Sequence, residues 1–293
     1  FKMAAAPYIV PLIAPVFMGM PADEIPAMHA MIKHLHSMCY EKPWLMNTFW
    51  GIQKPMALTP NLILTGPPAP RTVSVVVDTP MKALNEWLTK IRREGLKIVY
   101  VTMGSMVALE SWQVQGIYHG LAALGCAVIW SLKEDQQASL PVAAGDLPSR
   151  FFINKWLPQA EALQLEEVAV VVTHCGWGGF METVTAGKPI VATPFMGDQP
   201  ENAQLAVECG MAVLLPPKRF KASCVQAAVG EVLNDPKYAA VALETQRALL
   251  ASGGATKCCE VIEDLAAHGT KSLVTTPPSA SRSLLGCLGA LVV

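Results

Sequence analysis

The sequence predicts an α/β protein built on a doubly wound parallel sheet. Three observations predict it. Short apolar runs rich in Val, Ile and Leu recur along most of the chain, separated by helical periods, as in a parallel sheet covered on both faces. Glycine follows two of these runs directly, at "MGSM" (103–106) and "HCGWGG" (174–179); ligands of such sheets bind at strand-to-helix turns of this kind. Hydrophobic residues make up 52% of the 293 residues and charged ones 15%, a composition that supports a large core and opposes disorder.

Residues 1–70 are rich in Pro and Met and show little periodicity. The apolar run from Met3 to Met20 is long enough to span a membrane. Pro7, Pro11 and Pro15 interrupt it, which fits buried strands and turns better than a spanning helix, so membrane association is not expected. Residues 28–38 read as a helix, and 60–70 as a short strand running into a stiff linker. From Thr72 the alternation begins. Strands are expected at 98–103, 126–132, 151–156, 168–173, 189–193 and 211–215. Helices are expected at about 109–124, 179–186, 201–208, 221–234, 236–251 and 255–267. The Ser/Thr/Pro-rich end from Thr270 reads as a loose tail.

A formal net charge of −1 lacks the basic footprint of a nucleic-acid binder. Eight cysteines share no repeated spacing, so neither a disulfide framework nor a zinc site is expected, and the compartment reads as reducing and cytoplasmic. His34 and His36 stand two apart on a helical segment and so do not share a face. Cys258 and Cys259 read as core or chance.

At the end of the 168–173 run, Gly176, Gly178 and Gly179 allow a ligand to approach the backbone, and the first N–H groups of the following helix attract an anion. Gly104 and Ser105 repeat this logic, so two such turns point to a diphosphate. Neither G-x-x-x-x-G-K-[ST] nor G-x-G-x-x-G occurs, which disfavours P-loop enzymes and ordinary NAD enzymes. Cys175 beside His174 does not make a nucleophile–base pair, because adjacent side chains at a strand end point to opposite faces.

The neighbours sharpen the reading. "WLPQ" (156–159), "THCGW" (173–177), Glu182, "AGKP" (186–189) and Asp198-Gln199 resemble the signature box of family 1 UDP-dependent glycosyltransferases, which have the two-domain GT-B fold. "VYVTMGSM" (99–106) resembles the opening of that family's C-terminal domain, and "DQPENAQ" (198–204) is similar to the animal branch. The resemblance covers roughly residues 60–265. It implies that Trp156 stacks on uracil and that Leu157 and Gln159 line the nucleoside. His174, Ser105 and the backbone of Gly104 and of Gly176, Trp177, Gly178 and Gly179 would hold the diphosphate. Glu182 would accept from the ribose hydroxyls, and Asp198 and Gln199 would read the donor sugar. No metal and no cofactor is implied; the UDP-sugar is a co-substrate, and the other partner is a small, lipophilic acceptor.

Two departures stand out. Gly178-Gly179 replace the Asn-Ser of the plant branch, and Leu165 stands where many plant members carry His. The family's catalytic histidine lies near the start of its N-terminal domain, and His29, His34, His36 and His119 have the wrong context for it. The chain is therefore expected to be the donor half of a transferase. Residues 1–70 would be a remnant of the acceptor domain with its linker, 71–268 the Rossmann-like donor domain, and 269–293 a tail. A non-catalytic UDP-sugar-binding module, an inactive homologue and an epimerase-type enzyme on the same fold remain alternatives.

Overall fold

The apolar runs become six strands of one parallel sheet. The computed structural model describes residues 42–53, 57–67, 79–143, 146–271 and 273. The apolar run at 3–20, the helix expected at 28–38 with its histidines, and nearly all of the tail lie outside them. The chain divides into two compact units: Phe1–Asn47, Pro55–Thr65 and Thr256–Val293 form one, and Thr48–Lys54 with Gly66–Ala255 form the other.

In the first unit, β1 (Trp44–Met46) pairs in parallel with β2 (Leu62–Leu64). The Asn61 side chain donates to the Lys42 carbonyl at 2.9 Å and fixes the entry to the pair.

The second unit runs α1 (Thr79–Glu94), β3 (Ile98–Thr102), α2 (Ser111–Ala122), β4 (Ala127–Ser131), α3 (Glu134–Gln137), β5 (Phe151–Asn154), α4 (Gln159–Leu163), β6 (Val168–Thr173), α5 (Trp177–Thr185), β7 (Ile190–Ala192), α6 (Gln199–Glu208), β8 (Ala212–Leu214), α7 (Ala222–Asn234) and α8 (Pro236–Ala251). A last helix, α9 (Gly254–His268), begins in this unit and continues into the first. The sheet order is β5-β4-β3-β6-β7-β8. Chain direction therefore reverses its lateral march between β3 and β6, the switch point at which such sheets bind ligands.

Alternation along β3 explains the layering. Val99 and Val101 face one cluster with Val128, Trp130 and the buried sides of α2 and α7. Ile98 and Tyr100 face the other, with Leu84, Leu88 and Ile91 of α1. The sequence reading missed α1, although Leu84, Leu88 and Ile91 follow the helical repeat. A third cluster joins Phe180, Met181 and Val184 of α5 to Ala203 and Ala206 of α6, with Phe49 and Ile52. Helices α2 and α7 approach closely because Gly116 and Gly120 carry no side chain. A Cβ on Gly116 would stand 1.6 Å from the Phe220 carbonyl oxygen.

Two helix starts differ from expectation. Helix α5 begins at Trp177 rather than 179, so Gly178 and Gly179 belong to its first turn and not to a preceding loop. Helix α6 begins at Gln199 rather than 201, with Asp198 at its N-cap position. No helix among the described residues is long and apolar enough to cross a membrane. Cys258 is half-buried and Cys259 exposed on α9, outside any core, and both thiols are free.

Candidate functional site

Thr102 and Thr173 face each other in the register of β3 and β6, so the two glycine turns leave the sheet side by side. The left-handed backbone that each turn needs falls on Gly104 (φ 64) and, in the second, on Cys175 (φ 61). Neither Gly178 nor Gly179 has positive φ. Once Cys175 has reversed the chain, the following residues are free to be helical. A non-glycine residue pays roughly 1–3 kcal/mol for this conformation. The Cys175 turn is held by three contacts. Its N–H donates to Thr173 Oγ1 (3.3 Å), its carbonyl accepts from Asn202 Nδ2 (2.9 Å), and its side chain is fully buried beside Phe180. Burial pushes the Cys175 thiol up to about 12, which agrees with its exclusion as a nucleophile.

The His174 ring stands in the gap between the two turns. A Cβ on Gly104 would lie 2.6 Å from its Cε1 and 2.7 Å from its Nε2; one on Gly176 would lie 2.6 Å from Nε2. These two glycines therefore make room for the imidazole. Gly178, in contrast, meets nothing within 4 Å. Burial lowers the His174 pKa below its ordinary value, and the Asp198 carboxylate partly opposes this. The ring is half-buried, and that burial favours its neutral form.

The N-terminus of α5 has no side-chain cap on Gly176. Its first intrahelical bond runs from the Phe180 N–H to the Gly176 carbonyl at 2.9 Å, which leaves three N–H groups without intrahelical acceptors. That of Trp177 donates to Asp198 Oδ2 at 3.3 Å. Those of Gly178 and Gly179 have no acceptor among the described residues. Asp198 Oδ2 also accepts from Asn202 Nδ2 at 2.8 Å, so one amide braces both the carboxylate and the turn. The arrangement offers an anion two N–H groups, the helix dipole and an imidazole edge.

On one flank, Gln159 at the start of α4 donates its Nε2–H to Glu182 Oε2 at 2.6 Å. The absence of a side chain on Gly179 leaves space for that amide, 3.2 Å from the Cβ position. Trp156, just beyond β5, is 59% exposed; its N–H is tied to Asn154 Oδ1 at 3.2 Å. The Leu157 side chain is taken up by the core with Leu163, so only its backbone is left to meet a ligand. On the other flank, Gln199 Oε1 accepts from the N–H groups of Phe195 (2.9 Å) and Met196 (3.1 Å). Its amide nitrogen makes no hydrogen bond among the described residues.

Sequence reasoning missed the braces. Lys133, after β4, donates to the carbonyls of Ser105 (2.7 Å) and Val107 (3.3 Å) and holds the first turn. Its place at a strand end was the available signal. Asn202, four residues after Asp198 on a helix, was legible as an i,i+4 partner. Among the described residues, no group of three or more His, Cys, Asp or Glu side chains is arranged to hold a metal.

A family model described as UDP-glucoronosyl and UDP-glucosyl transferase matches residues 26–247. A cinnamate beta-D-glucosyltransferase of Fragaria ananassa is 39% identical over 121 residues, 38% of this chain and 21% of that protein. A UDP-glycosyltransferase of Talaromyces amestolkiae is 29% identical over 226 residues, 69% of this chain and 42% of its own length. The crystal structure of a UDP-glucose:anthocyanidin 3-O-glucosyltransferase in complex with UDP superposes with a TM-score of 0.64 at 21% identity, covering 80% of this chain and 57% of that one. The chain thus spans less than half the length of these two curated relatives.

Proposed function

Because the chain belongs to the UDP-glucuronosyl and UDP-glucosyl transferase family, we propose that its six-stranded unit is the donor-binding half of an inverting, metal-independent hexosyltransferase. A UDP-sugar would lie along the carboxyl ends of β3, β5, β6 and β7. The observation that carries this reading is the His174 ring set between Gly104 and Gly176, beside the open N–H groups of Gly178 and Gly179. Uracil stacks on the exposed face of Trp156 with Gln159 at its edge, and the ribose diol donates to Glu182. Ser105 adds a hydroxyl to the diphosphate cradle. Asp198 and the Gln199 amide take the sugar hydroxyls, and glucose is the expected hexose.

The chemistry follows from where charge develops. An acceptor hydroxyl attacks the anomeric carbon, the bond to UDP breaks with inversion, and negative charge grows on the diphosphate. Fixed N–H donors, the α5 dipole and His174 stabilise that charge without reorganisation. The acceptor's proton must go to a base, and no described side chain at this site is placed for it. We expect the base and a lipophilic acceptor pocket to be supplied from outside this unit. General-base help is typically ~10²–10⁴-fold, so the chain by itself should bind donor without appreciable transfer.

Calorimetry with UDP, ADP and GDP tests the donor assignment. Preference for UDP is expected, and equal affinity for the three would remove Trp156 and Gln159 as readers of uracil. Robust glycosylation of an added acceptor by the 293-residue chain would overturn the assignment of the base to another part.

A further inference from the structure

The donor reading leaves open how a neutral imidazole comes to present a hydrogen and not a lone pair. A neutral ring carries one N–H, and which nitrogen holds it is set by the partner of the other. His174 Nε2 is the atom that faces the gap between Gly104 and Gly176, as the 2.7 Å and 2.6 Å clearances to their Cβ positions show. The other nitrogen, Nδ1, lies 3.5 Å from Thr173 Oγ1. That contact is long, and its direction is what matters.

Thr173 is fully buried at the end of β6. Its hydroxyl oxygen already accepts the Cys175 N–H at 3.3 Å. A hydroxyl accepts through its lone pairs and still has one hydrogen to place. Among the described residues, the only other partner of Oγ1 is His174 Nδ1. Were Nδ1 protonated, both groups facing Oγ1 would be donors, and the buried hydroxyl hydrogen would be orphaned at a cost. With Nδ1 bare, all three atoms are satisfied. We propose that Thr173 is a positioning residue for the donor site: its hydroxyl donates to His174 Nδ1 and so holds the imidazole proton on Nε2, directed into the gap between the glycine turns.

The same hydroxyl thereby serves two parts of the cradle. It anchors the left-handed turn through Cys175 and aims the ring through Nδ1. Lowering of the His174 pKa by burial fits this arrangement, since a charged ring would donate from both nitrogens and need no such control.

The proposal rests on His174 as a diphosphate donor, and the test separates the two. Long-range nitrogen–proton NMR of the full chain, labelled at histidine with nitrogen-15, reports which ring nitrogen carries hydrogen. It is recorded for wild type, Thr173→Ser and Thr173→Val, with UDP titrated into each. Wild type and Thr173→Ser should show the Nε2–H form. Thr173→Val, which keeps the shape and loses the hydroxyl, should show a mixture and bind UDP about 2- to 10-fold more weakly. A wild-type ring protonated on Nδ1 overturns the proposal, and this measurement stands even if the valine variant does not fold. Retention of pure Nε2–H in Thr173→Val overturns it too. An Nε2–H ring that depends on Thr173 but whose signals ignore UDP sustains the positioning role and overturns the diphosphate reading.

Discussion

Gly176→Ala isolates the claim that the glycines serve the histidine. Gly176 has φ −60, so alanine brings no backbone strain. Its Cβ would stand 2.6 Å from His174 Nε2, a distance that real Cβ atoms do not tolerate. Ordinary contact begins near 3.4 Å, so the ring must retreat by about 0.8 Å (3.4 less 2.6). A hydrogen bond is steeply sensitive to such a displacement. The loss is that of a donor to a charged acceptor, about 1.5–3 kcal/mol, or roughly 10- to 140-fold in the Kd for UDP. Calorimetric titration of wild type, Gly176→Ala, His174→Ala and the double variant closes a thermodynamic cycle. Each single change should weaken UDP by that amount, and the double should be no worse than His174→Ala alone. Wild-type affinity in Gly176→Ala, or full additivity in the double, would refute the reasoning. UMP, lacking the second phosphate, should respond less than UDP.

Three further outcomes are expected. Gly178→Ala adds a side chain in the first turn of α5 where nothing lies within 4 Å; it should raise stability by about 0.4–1 kcal/mol by restricting the unfolded chain, read from urea denaturation. Glu182→Ala should weaken UDP about tenfold or more, through the lost diol contact, and 2′,3′-dideoxy-UDP by less in the same titration, since the two share only the effect of freeing the Gln159 amide. His174 has a folded pKa lowered by burial from 6.5, so below pH 6.5 the unfolded chain binds more protons than the folded one. Its contribution is present above pH 6.5 and lost as pH falls through the folded value, and denaturation midpoints at pH 7.5 and 5.5 should converge in His174→Gln.

The six strands were legible because each is a short apolar run; the sheet buries its central strands completely, as Ile98 to Val101 and Val170 to Val172 are, and its edge strands β5 and β8 in part. Helix α1 was not recognised: Pro80 and the Pro-rich stretch before it masked the Leu84–Leu88–Ile91 repeat. The start of α5 lies two residues before the expected one, because the chain completes its sharp turn just before Gly176. The structure puts that turn on Cys175, a residue type that gives no such signal. The residue types and spacing of the box brought most of the expected side chains to one edge of the sheet. What they could not disclose was who contacts whom. That Gly104 makes room for a ring on the neighbouring strand, or that Asp198 takes the Trp177 N–H, depends on the register between β3 and β6 and on the docking of α6. Those are tertiary facts without a local pattern.

The pairing of Thr102 with Thr173 has a kinetic side as well. The two turns come from strands separated in sequence by the whole β4–β5 wing, and such non-local parallel pairing is slow to form. On the proposed donor reading, neither turn alone would cradle a diphosphate; the binding place would come into being only when that seam has zipped. Any route to the unfolded chain that parts β3 from β6 must first dismantle it. A nucleotide bound as proposed would therefore act as a brake on escape from the native basin, lengthening the lifetime of the folded unit by an amount that grows with ligand concentration.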